Sequence, residues 1–129
     1  MISFDQIAQL FSLDTKRRFC VEIQFMLTGN DKFDYCWMGK MWSREEQRDV
    51  YWYGLTADGK NAYDYTTFEE MAAAPVFDGL SLKEVWDRVI IETIDDCDPE
   101  ERLRDYLDKS RPGPRMGAPI GPEDCYVPE

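Results

Sequence analysis

The sequence predicts an α+β fold, a four-stranded antiparallel β-meander with helices before and after it packed on one face. Three observations carry that expectation. Residues 18–27 alternate apolar and polar with a period of two. Ten aromatic residues crowd the 36 positions from Phe33 to Phe68, in runs bounded by turn residues. Capping-box signatures, a Ser or Thr with Gln or Glu three residues on, lie on either side of the strands at Ser3/Gln6, Thr67/Glu70 and Ser81/Glu84.

Taken in order, Ile2 can staple onto Ile7, and Phe4, Ile7, Ala8 and Phe11 share one face at 3.6-residue spacing. A helix over about 4–12 follows, ended by Asp14-Thr15-Lys16-Arg17. Phe19, Val21, Ile23, Phe25 and Leu27 then point one way and Arg18, Cys20, Glu22 and Gln24 the other, with Met26 the exception, a half-buried strand. Gly29-Asn30-Asp31-Lys32 is a turn, so the next strand, about 33–42, returns antiparallel. The polar stretch Ser43–Arg48 connects it to a third strand at about 49–56, and Asp58-Gly59 to a fourth at about 61–66.

Helical signals return at Thr67, with a short helix over 68–73 that Pro75 stops. The box at Ser81/Glu84, with Leu80 able to staple onto Val85, predicts another helix whose stripe is Leu82, Val85, Trp86, Val89 and Ile90. The β-branched run from Val89 to Ile94 leaves a fifth strand open against a longer helix. Asp98-Pro99-Glu100-Glu101 starts a further helix, with Pro in the first turn and carboxylates where the dipole favours them. Two or three C-terminal helices result. Residues 1–110 read as one domain, and 111–129, rich in Pro and Gly, as an extended or disordered tail.

Charge restricts the partners. Residues 1–48 carry seven acids and seven bases, so the whole net charge of −11 resides in residues 49–129. Direct nucleic-acid binding and association with anionic membrane are both disfavoured, since each needs basic groups. No apolar run approaches a membrane span, and Met1-Ile2-Ser3-Phe4-Asp5 has no secretory character. The four cysteines stand far apart and there is no histidine. That pattern predicts reduced thiols in a cytoplasmic protein and no metal or other cofactor.

Chemistry has little to draw on. Without histidine, a cysteine nucleophile lacks its usual base. Single glycines at turns make no phosphate loop. The run Asp95-Asp96-Cys97-Asp98-Pro99-Glu100-Glu101 lacks the spacing of a calcium loop and reads as a dipole complement. Carboxylates such as Glu22, Asp34, Asp49 and Asp64 are the only broadly available acid–base equipment. The expectation is therefore a non-catalytic interaction protein. Its binding residues would be the sheet aromatics Tyr35, Trp37, Trp42, Tyr51, Trp52, Tyr53, Tyr63 and Tyr65, helped by the acidic C-terminal half. The partner would be another protein of basic character, with a homodimer left open. A small-molecule binder with an aromatic groove is the first alternative and a carboxylate-dependent enzyme the second.

Overall fold

One five-stranded antiparallel sheet carries the molecule, in the strand order β4-β3-β2-β1-β5. The structure is a computed structural model that describes residues 2–13, 20–57 and 59–107. The strands are β1 Val21–Leu27, β2 Cys36–Ser43, β3 Arg48–Gly54, β4 Ala62–Tyr65 and β5 Val89–Ile94. The helices are α1 Phe4–Phe11, α2 Phe68–Ala73 and α3 Pro99–Leu107. The α+β expectation holds. The predicted tail at 111–129 and the helix-ending residues 14–17 lie outside the described residues.

The box at Ser3 forms as read, whereas at Thr67 the side chain caps the helix and the Glu70 carboxylate accepts from the Thr66 amide. Ser3 and Gln6 exchange side-chain and backbone hydrogen bonds at 2.9 and 3.1 Å, and Thr67 Oγ1 accepts from the Glu70 amide at 3.0 Å. The box at Ser81/Glu84 also closes, at 2.9 and 3.3 Å. Yet the predicted helix behind it does not form: turns occupy 82–85, and a single 3-10 turn spans Trp86–Arg88. The next residues are β-branched and pair along the free edge of β1, from Leu27 opposite Val89 to Ile23 opposite Ile94. A strand that satisfies an open edge displaces a helix whose last turn would be Val and Ile. The fifth strand is thus real, and it lies beside the first rather than continuing the meander. Ahead of it, Asp78 and Gly79 both take positive φ, the geometry of a tight hairpin turn, and Phe77 and Leu80 bond reciprocally across them.

The helices share one face of the sheet with a common core. Ile7, Leu10 and Phe11 of α1, Phe68 and Met71 of α2, and Leu103 of α3 meet Val21, Ile23, Phe25, Met38 and Tyr53 from the strands. Phe11 stacks on Phe68 at 5.1 Å, and Phe77 contacts Phe25, Phe33 and Tyr53 edge-on. Each such side chain contributes about 1.5–3 kcal/mol by leaving water. No described helix is long and apolar enough to cross a membrane.

One charged residue occupies this core. Strand alternation turns Cys36, Met38 and Lys40 inward together, and Lys40 is fully buried. Its ammonium donates to the carbonyls of Phe11 at 2.7 Å and Leu13 at 2.6 Å, beside the face of the Tyr51 ring. Those carbonyls lie at the C-terminal end of α1, where acceptors are left over and the dipole is negative. Lys40 therefore caps a helix from across the core. Lys40→Met keeps the stem and removes the donor. It should lower the unfolding free energy in urea by about 3 kcal/mol, with faster amide exchange in α1.

Candidate binding face

The pairing register decides which aromatics the helices cover. Across β2 and β3, Met38 faces Tyr53, Lys40 faces Tyr51 and Trp42 faces Asp49, all with the parity of the core. On the other parity Trp37 faces Gly54, Gly39 faces Trp52 and Met41 faces Val50. Among the described residues, none of Trp37, Met41, Val50 or Trp52 packs against the helix-side core. These half-buried residues, with Met26 of β1 and Ile90 of β5, line the opposite face.

The eight aromatics singled out from the sequence accordingly divide between two faces. Trp37 and Trp52 stand on the helix-free side. Tyr35 lies just before β2, is 43 % exposed, and meets the Trp37 ring edge-on at 6.0 Å. Tyr51, Tyr53, Tyr63 and Tyr65 face the helices. Tyr53 is buried and donates to the Met71 carbonyl at 3.0 Å, while Tyr51 donates to that of Phe11 at 3.4 Å. Burial above all raises the phenol pKa of Tyr51, Tyr53 and Tyr65, and these hydroxyls stay protonated donors. Trp42 shares the helix-side parity but stands outside the core, and its buried indole N–H has no acceptor among the described residues.

The two tryptophans interlock with two glycines. Trp37-Met38-Gly39 on β2 runs antiparallel to Trp52-Tyr53-Gly54 on β3, so each tryptophan lies opposite the glycine of the other triplet. At Gly39 the fit is close. A Cβ there would lie 2.7 and 2.9 Å from two ring carbons of Trp52 and 2.2 Å from the Val21 carbonyl oxygen. The indole lies over the glycine, an arrangement that gives a side-chain-free site a cover. At Gly54 the nearest atom is the Trp37 Cβ at 4.0 Å, which is ordinary contact. The doubled W-x-G triplet is the signal in the sequence that locates this pair.

Carboxylates flank the platform. One cross-strand row reads Asp64 on β4, Trp52 on β3, Gly39 on β2 and Glu22 on β1. Three strand spacings separate Asp64 from Glu22, roughly 14 Å with the indole between. That is wider than the roughly 5–10 Å of a paired-carboxylate hydrolase. Partial desolvation, and then the Asp95 carboxylate, raise the Glu22 pKa above 4.5. At the hairpin end of the face, Arg48 is held by Glu46 in an exposed ion pair.

A second cluster of charge lies at the end of β5, where Asp95 and Asp96 both take positive φ. The buried Asp95 carboxylate accepts from the Glu22 amide at 2.9 Å, from Arg102 Nε at 3.1 Å and from the Tyr106 hydroxyl. Burial alone would lower the Arg102 pKa, but Tyr106 and Asp95 hold it above its usual value. The Arg102 and Tyr106 contacts tie α3 to the turn after β5, and the Glu22 contact ties that turn to β1, so the cluster docks the helix. Asp98 caps α3 by accepting from the Glu101 amide at 3.0 Å. Among the described residues, no three Cys, Asp or Glu side chains gather as a metal-binding group.

Of the cysteines, Cys36 and Cys97 are free, and burial first raises the Cys36 thiol to about 12, well out of nucleophilic range. Cys20 is disulfide-bonded, which departs from the expectation of reduced thiols throughout. Comparison with protein-family models, with curated proteins and with solved structures finds no match to this chain.

Two predictions follow from the geometry of the face. Gly39→Ala should lower stability by about 3 kcal/mol, because the β1 backbone must move, whereas Gly54→Ala should stay within about 1 kcal/mol of the parent. Urea denaturation of the two variants measures the contrast. The raised Glu22 pKa means the folded chain holds this proton more tightly than the unfolded one, so its contribution to stability falls as pH rises from 4.5 through the folded value. Glu22→Gln should therefore melt higher than the parent at pH 7, and the gap should close below about pH 4 in a thermal melt series.

Proposed function

We propose that this is a non-catalytic binding protein whose working surface is the helix-free face of the sheet, presented to another protein. The reading rests on one observation: Trp37 and Trp52 lie diagonally across β2 and β3 on a face that the described helices leave uncovered. The half-buried apolar side chains on that side take no part in the helix-side core, and tryptophan is enriched where proteins bind one another. The surroundings fit a partner interface. Met26, Met41, Val50 and Ile90 extend the apolar area, and Glu22 and Asp64 form a polar margin. A second copy of the chain is the rival occupant, and repulsion between two chains of charge −11 opposes it.

Capture on immobilised protein, with mass spectrometry of the bound fraction, tests the reading. A partner retained by the parent chain should be lost from Trp37→Thr/Trp52→Thr and kept by Leu80→Ser, which alters an exposed apolar residue outside this face. Sedimentation of the parent should show a monomer at micromolar concentration. Equal retention by both variants would place the contact elsewhere, and a dimer abolished by the tryptophan changes would make the partner a second copy.

A further inference from the structure

We infer that the Trp52 platform is a seat for an arginine side chain of a basic partner segment, with Asp64 and Glu22 as its counter-charges. This rests on the helix-free face being the binding surface and goes on to name the chemistry of what it binds.

The row Asp64–Trp52–Gly39–Glu22 supplies the geometry. Because Gly39 has no side chain, the Trp52 ring settles onto the sheet over that residue instead of standing up from it. A ring lying down on a sheet offers its π-face outward, and the electron-rich face of indole is the strongest aromatic seat for a cation. Asp64 on β4 and Glu22 on β1 carry carboxylates on the strands that flank the two under the ring.

Lys32, Lys40, Lys83 and Arg102 lie over Phe33, Tyr51, Phe4 and Tyr106 respectively, and none lies over Trp52. Arg48 has the parity of this face but is paired with Glu46. The net charge of −11 draws a basic segment toward the surface, and the row selects the residue that docks. Arginine fits better than lysine. Its planar guanidinium can lie parallel to the indole while its edge donates two hydrogen bonds to a carboxylate, whereas an ammonium is a strongly hydrated point.

Titration of the full chain with blocked hexa-arginine and hexa-lysine peptides, followed by tryptophan fluorescence and calorimetry at about 150 mM salt, provides the test. Hexa-arginine should bind about tenfold more tightly than hexa-lysine. Trp52→Leu should reduce arginine-peptide affinity by about tenfold, the order expected of a cation–π contact. Asp64→Asn/Glu22→Gln should do the same, while Glu69→Gln/Glu101→Gln, which removes equal charge from the helix side, should change it less than twofold. Urea midpoints of all variants establish that they are folded before titration. Equal affinity for the two peptides, equal loss in the two charge variants, or no binding would overturn the inference. If hexa-arginine fails to bind while partner capture still depends on Trp37 and Trp52, the arginine seat falls and the binding face stands.

Discussion

The register of β2 on β3 is the constraint on which both faces depend. Side chains alternate along a strand, so a one-residue slip of β3 would carry Tyr51 and Tyr53 outward and bring Val50 and Trp52 to the core side. Both sets are apolar enough to be buried, and hydrophobicity alone would choose weakly between them. Two features break the tie. Tyr51 and Tyr53 find carbonyl acceptors on α1 and α2 only when they point toward the helices, and an indole N–H facing the core would need acceptors of its own. The close fit of Trp52 over Gly39 exists only in this register.

On the helix side, the buried charges locate the helices. A buried ammonium or carboxylate is costly to desolvate, and removing it leaves its buried partners without a donor or acceptor. The consequence is positional. α1 can dock only where its final carbonyls meet Lys40, and α3 only where Arg102 and Tyr106 meet Asp95. These two points lie on different strands, β2 and the end of β5, and so hold the helical layer at separated places. Apolar packing alone would tolerate sliding of short helices over an aromatic surface. A misplaced helix here leaves a charge without its acceptor or donor, which costs several kcal/mol.

Much of the fold was legible in the sequence because its signals are local. Alternation identified β1, turn residues bounded the strands, and the caps at Ser3 and Thr67 began helices where read. The stretch behind Ser81 was misread because a capping box fixes only the first turn of a chain segment. Whether a helix continues was decided by the open edge of β1, a partner sixty residues earlier. Lys40 was legible by parity but not by type, since lysine in a core position makes sense only once a helix end is placed above it. The tryptophan pair was separable from the tyrosines by alternation within each strand. Its partnership with the two glycines was not, because that depends on which residues of β2 and β3 stand opposite.

The sheet edges explain why the face, rather than strand addition, is the surface on offer. β4 is four residues long and flanked at once by α2. β5 carries a bulge where Gln24 and Phe25 pair with Thr93 and Ile91, leaving Glu92 over, a device that twists and charges an edge. An extended partner would find few consecutive backbone groups to bond on either side. The broad face presents the opposite case, with the Trp52 ring seated on Gly39 before any partner arrives. Side chains already fixed lose little conformational freedom on contact, so a larger share of the desolvation of Trp37 and Trp52 is available as binding energy. Gly39, which favours this register, thus also preorganises the surface.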